Sequence, residues 1–98
     1  MAFEISFRPE AVTDLKALKK NERSRLIDNI ERQLLHEPGS ETRNRKRLRP
    51  NEIANWELRI GRFRVLYNID DKARMVSTEA VGFKIGDLLF IRGIRREL

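Results

Sequence analysis

The chain is 98 residues long, 40% hydrophobic and 37% charged, which allows one domain with a modest core. Its 21 Lys and Arg against 15 Asp and Glu leave a charge of +6, pointing to a polyanionic partner: nucleic acid, an acidic protein segment or an anionic surface. With no cysteine and one histidine, disulfides, thiolate or multi-histidine metal sites and a cysteine nucleophile are excluded, and no metal or cofactor is expected.

No apolar run approaches the ~20 residues of a membrane span, and Met-Ala-Phe-Glu lacks the basic-then-apolar form of a signal peptide. The expected compartment is the cytoplasm, with no membrane partner.

Phe3, Ile5 and Phe7 alternate with Glu4, Ser6 and Arg8, the period of a half-buried strand. Pro9 ends that strand and opens a helix, because its missing N–H costs nothing in a first turn. Ala11, Leu15 and Leu18 recur at helical spacing over residues 10–19. Asn21 reads as the N-cap of a second helix with Leu26, Ile27, Ile30 and Leu34 on one face. That helix is expected to end near His36, ahead of Pro38-Gly39-Ser40, and an imidazolium there favours the helix dipole. So short a joint between helices makes an antiparallel α-hairpin.

Residues 41–55 show neither period and contain Pro50, so they read as a charged loop. Trp56, Leu58 and Ile60 alternate with Glu57 and Arg59 in a further strand, Gly61-Arg62 is a two-residue turn, and Phe63, Val65, Tyr67 and Ile69 carry the return. After Asp70-Asp71-Lys72 a fourth strand spans residues 74–81, with Val76, Thr78 and Ala80 on one face and Gly82 as its breaker. Residues 83–98 read as a short helix, a fifth strand or both. Connections too short for crossovers give an α+β domain over residues 1–98, with an N-terminal strand, an α-hairpin and an antiparallel meander of three to four strands. The hairpin would cover one sheet face and leave the other, with Glu57, Arg59, Arg62 or Arg64, and Lys84, polar and open.

No glycine spacing matches a phosphate loop, so chemistry rests with charged side chains. Arg43, Arg45, Lys46, Arg47 and Arg49 form a basic run able to hold nucleic-acid phosphates with steep salt dependence, though such contacts position RNA without cutting it. On the hairpin Glu57 and Arg59 share a face, and Arg64 lies laterally near them. Such a cluster is either cross-strand salt bridging on a wet sheet or a cradle for a scissile phosphate, whose added negative charge arginines would stabilise. Trp56 and Tyr67 belong to the buried alternation and are expected in the core. Phe90 either packs or stacks on a base.

The stretch Trp56-Glu-Leu-Arg-Ile-Gly-Arg-Phe-Arg-Val-Leu-Tyr67, followed by Ile69-Asp-Asp71 and Ala80-Val-Gly-Phe-Lys84, resembles the core signature of the RelE/ParE toxin superfamily. Ala11-x-x-x-Leu15-x-x-Leu18, Pro38 and Lys46-Arg47-Leu48 agree with it, so that the resemblance runs over residues 2–91. It implies a small sheet beneath an α-hairpin. For RelE-type members it implies metal-independent cutting of messenger RNA in the ribosomal A site, by attack of a 2′-hydroxyl on the adjacent phosphate.

Carried over by position, Arg59 replaces a strand lysine as a phosphate clamp, and Arg64 matches the arginine that stabilises the transition state. Lys84 stands for an arginine and would protonate or neutralise the leaving 5′-oxygen. Glu57 falls where RelE has a lysine, which makes it a candidate general base for the 2′-hydroxyl. Phe90 falls near a C-terminal tyrosine and can stack but not transfer a proton. The implied partners are a cognate antitoxin, the ribosome and messenger RNA, with the toxin a monomer alone and oligomeric with its antitoxin. ParE-type members, which poison DNA gyrase without cutting RNA, and an inactive binding module are the alternatives.

Overall fold

The computed structural model describes residues 2–98, and as far as residue 70 its elements follow the apolar periods, with one strand added. Strand β1 is Glu4–Phe7, helix α1 is Pro9–Lys16 and helix α2 is Lys20–Leu34. Pro9 does open α1. Helix α2 begins before Asn21, with Lys19 at the cap position and no side-chain cap bond, and it ends ahead of His36. Its position is set by burial of Leu26, Ile30 and Leu34 rather than by a cap, as is usual where tertiary packing supplies most of a helix's stability.

Strands β2 (Arg45–Arg47), β3 (Trp56–Ile60), β4 (Phe63–Asp70), β5 (Met75–Ile85), β6 (Leu88–Ile91) and β7 (Ile94–Arg96) form one antiparallel meander, each beside the next. β1 joins it parallel to β5, with Glu4 opposite Met75 and Phe7 opposite Thr78. The α+β class and the element order therefore hold, but the meander is longer than expected at both ends. β2 lies inside the segment expected as loop; its three residues are all basic, so no apolar alternation marks it, and their charge protects an exposed edge from further pairing. The tail supplies β6 and β7 and no helix.

Gly82 does not break β5. A Cβ there would lie 2.5 Å from the Phe90 carbonyl oxygen and 2.9 Å from Ile91 Cγ1, so glycine is what lets β6 approach β5 closely. The alternation of β5 also changes partway. A register shift opposite Leu66 and Tyr67 leaves Glu79 unpaired and puts Ala80 on the face opposite to Val76 and Thr78.

On the helix side, Phe3, Ile30, Leu34, Trp56, Leu58, Val65, Tyr67 and Val76 make the main core, extended by Leu15, Leu26 and Val81. Trp56 and Tyr67 are core residues, as expected; the Tyr67 hydroxyl donates to the buried Pro38 carbonyl at 2.8 Å. Burial holds that phenol well above its ordinary pKa, with nearby Arg45 pulling the other way. The second face is not wholly open. Ala54, Leu66, Ala80, Leu89 and Ile91 pack there beneath Leu48, Ile53 and Leu98, so a loop and the chain tail cover part of it.

One buried acid ties these parts together. β5 pairs along one edge with β1 through Thr78 and with β6 from Phe83, leaving a gap in the ladder between them. Asp14 of α1 fills it: its Oδ2 accepts from the Val81 amide at 2.9 Å and from Arg92 Nη1 at 2.8 Å. The same carboxylate thus completes the sheet and fastens the β6–β7 turn to α1.

Candidate functional site

The charged half of the second face is built by register. Side chains two apart on β3 share a face, which puts Glu57 beside Arg59, and pairing of β3 with β4 sets Arg64 directly opposite Arg59. Glu57 is 6% exposed, and its Oε2 lies 3.7 Å from Arg59 Nε, while the Arg59 side chain is 44% exposed. Arg64 Nη1 donates to the Gly61 and Phe63 carbonyls, each at 2.8 Å, which fixes the guanidinium at the turn. Its Nε is buried without a partner. Burial holds the Arg64 pKa below its ordinary value, the Glu57 carboxylate pulls it back up, and Arg59 pushes it down. The three side chains therefore act on one another electrically.

Lys84, further along β5 on the same face, lines a cavity of about 410 Å³ together with Glu57, Leu89, Arg49 and Arg96. Arg49 reaches it because Asn51 organises the loop that follows. The Asn51 amide donates to the Arg49 and Ala54 carbonyls, both at 2.8 Å, and its oxygen accepts from the Ile53 and Ala54 amides at 2.8 and 3.0 Å. That knot presses Ile53 and Ala54 onto the sheet and leaves Arg49 at the cavity wall.

Other sequence candidates lie elsewhere. Arg62 leaves the polar face: its guanidinium sits over Phe63 and Phe83 and pairs with Glu22 of α2 at 3.3 Å. Phe90 pairs with Phe83 across β5 and β6 and stacks on it at 6.0 Å, on the opposite side of the sheet from Glu57, Arg59, Arg64 and Lys84. Within the basic run, Arg45 is occupied, donating to the Gln33 carbonyl at 2.6 Å and to Ser40 at 3.2 Å. Arg47 rests over Trp56 at 5.8 Å. Lys46 stands opposite Glu57 on the charged face, and Arg43 is exposed beyond the strand. The run is thus divided between the two faces.

Two residues escaped the sequence reading. Asp14 left a signal, an acid on the apolar stripe of α1 that needs a buried partner. Arg96 left none, because its place on the face depends on β6 and β7.

A buried carboxylate beside guanidinium groups and an ammonium can accept a proton, hold a phosphate and protonate a leaving oxygen. Among the described residues, no group of three or more metal-ligating side chains comes together, and no helix is long and apolar enough to cross a membrane.

A family model described as the ParE toxin of the type II toxin-antitoxin system parDE matches residues 5–82. No curated protein matches. The RelBE2 toxin-antitoxin complex of Mycobacterium tuberculosis contains a chain 26% identical to this one, with a TM-score of 0.75 over 86% of this chain and 93% of that one. The archaeal RelE-RelB complex of Pyrococcus horikoshii OT3 gives a TM-score of 0.66 at 19% identity, over 83% of this chain and 93% of that one, a likeness of fold.

Proposed function

The chain belongs to the ParE toxin family of type II toxin-antitoxin systems, and on that premise we propose that it is a ribosome-dependent messenger-RNA endoribonuclease cutting on the charged half of its sheet. The observation that carries this reading is the placement of Glu57: buried, 3.7 Å from Arg59, on the face of Arg64, and in one cavity wall with Lys84.

The chemistry follows from those groups. Glu57 takes the proton of a 2′-hydroxyl, and the resulting alkoxide attacks the adjacent phosphorus. Arg59 and Arg64 hold the phosphate oxygens as the fifth bond forms and charge accumulates, where fixed guanidinium donors are worth most. The bond to the 5′-oxygen breaks, and Lys84 supplies its proton. The products are a 2′,3′-cyclic phosphate and a free 5′-hydroxyl, and a proton returned from Glu57 to Lys84 through water resets the pair. Lys46 and Arg49 hold neighbouring backbone.

The natural partner of such a toxin is a cognate antitoxin, and the +6 charge steers an acidic segment toward this face. A disordered antitoxin segment folding over the cavity would exclude RNA from it.

A second reading has its own observation: the matching family model is that of ParE toxins, for which the resemblance stated above implies gyrase poisoning without RNA cleavage. The two are separated by mapping message ends on programmed ribosomes by primer extension, wild type beside Arg64→Ala. Cuts within the A-site codon that disappear in the variant support the nuclease. An intact message from a toxin that still arrests growth, together with inhibited gyrase supercoiling, would replace it with the gyrase reading.

A further inference from the structure

The ion pairs of the cavity leave an imbalance. Of its acids, Glu57 is paired with Arg59 and Glu97 with Arg95 at 3.4 Å, so Asp87 is the acidic side chain left over. Of its cations, Arg49, Lys84 and Arg96 have no ion-pair partner among the described residues. Arg96 goes further: its Nε is buried and has no hydrogen-bond partner at all. A guanidinium donor kept dry and unpaired is costly, and the cost is recovered when an anion binds.

The construction of this corner is specific. Register sets Arg96 across from Leu89, which is itself across from Lys84, in one row on the charged face. The hairpin bearing Arg96 is locked by the Arg92–Asp14 pair at 2.8 Å, and the Asn51 loop brings Arg49 from far away in the chain. Lys84 thus stands between the proposed reacting phosphate at Arg59 and Arg64 and the unpaired guanidinium of Arg96, while Arg49 reaches the same cavity from the β2 side.

We propose that Arg96 and Arg49 form a second phosphate subsite, holding the phosphodiester next to the one that is cut. The substrate is then single-stranded RNA spanning at least two consecutive phosphodiesters, drawn across the face with Lys84 between the two phosphates. This assignment rests on the nuclease reading for the identity of its ligand, but its test does not require cleavage.

The test is binding of a short, uncleavable 2′-O-methyl oligonucleotide to the folded protein over a range of salt concentrations. Each phosphate contact on a single strand contributes a slope of about −0.7 in log affinity against log salt. Arg96→Gln is expected to weaken binding and to flatten the slope by about 0.7, with Arg96→Lys restoring most of the slope. Arg74→Gln, at the far end of the molecule over Phe3, is expected to change neither. Equal thermal melting of the variants separates lost contact from lost folding. An unchanged slope in Arg96→Gln, or no measurable binding by the wild type, overturns the subsite while leaving ribosomal cleavage to stand by itself. Loss of affinity for a poly-glutamate peptide but not for the oligonucleotide overturns it in favour of a protein ligand. Arg96-dependent binding with an uncut message on ribosomes upholds the subsite and removes the nuclease reading.

Discussion

The two faces of the sheet are closed by different means. On one, helix α2 closes over the sheet beside strand β1, and Leu58, Val65, Val76, Ile30 and Leu34 are buried completely, each such side chain contributing about 1.5–3 kcal/mol through apolar area. On the other, a loop and the chain tail cover Leu66, Ala80, Leu89 and Ile91, while Glu57, Arg59, Arg64, Lys84 and Arg96 occupy what is left. A rigid helix leaves no room for hydrated charge. Covering by loops is partial, and the partial covering creates a wall in which a carboxylate is nearly buried and still faces a cavity. The candidate site therefore lies at the border between the second apolar cluster and solvent.

That contrast orders the expected effects of substitution. Leu58→Ala, in the helix-covered core, is expected to cost about 3–5 kcal/mol in urea unfolding, against about 2–3 kcal/mol for Leu89→Ala beneath the more adaptable tail. Equal costs would show that both coverings are equally rigid. Asp14→Ala removes the acceptor of the Val81 amide and the partner of Arg92, and is expected to cost about 3 kcal/mol. Asp14→Asn, which keeps an acceptor for Val81, is expected to recover about half of that. Faster amide exchange in residues 88–96 of Asp14→Ala would locate the loss in the C-terminal hairpin; exchange confined to α1 would contradict the proposed lock.

Tyr67→Phe leaves the Pro38 carbonyl without its donor, an expected loss of about 1–2 kcal/mol. The tyrosine also makes stability depend on pH. Its folded pKa is raised by burial, so its contribution is complete below the ordinary value of ~10. Above that value the unfolded chain releases the proton first, and stability falls as pH rises toward the folded pKa. The wild type should therefore lose more stability than Tyr67→Phe between neutral pH and strongly alkaline solution; parallel curves would exclude this origin. The smallest effect is expected at the exposed Arg62–Glu22 pair, where Arg62→Ala should change stability by less than about 1 kcal/mol.

Strand β3, its turn and β4 were legible because apolar alternation runs through them without a break, and with them came the grouping of Glu57, Arg59 and Arg64. β2 was not legible, since three basic residues on an edge carry no periodic signal. Alternation alone puts Ala80 on the face of Val76 and Thr78, and the register shift at Glu79 that moves it is a property of pairing with β4 rather than of local composition. Gly82 reads as a breaker in the sequence, although its role depends on the Phe90 carbonyl of another strand. Burial of Glu57 was hidden for the same reason: a charged residue at a polar position in a strand looks exposed until a distant loop and tail fold over it. Arg62 departed from the expected face because it lies in the turn, where alternation no longer binds it, and Phe63, Phe83 and Glu22 attract its guanidinium.

The most direct test sets two neighbours in β3 against each other, measuring message cleavage on programmed ribosomes per folded molecule for Glu57→Gln and Leu58→Ala. Glu57 faces the cavity and Leu58 the helix-side core. Glu57→Gln is predicted to lose about 10²-fold or more in cleavage rate per folded molecule. Leu58→Ala is predicted to cut at the wild-type rate once corrected for the folded fraction. Full cleavage by Glu57→Gln, or a Leu58→Ala protein that folds and does not cut, would contradict the assignment of catalysis to the charged face.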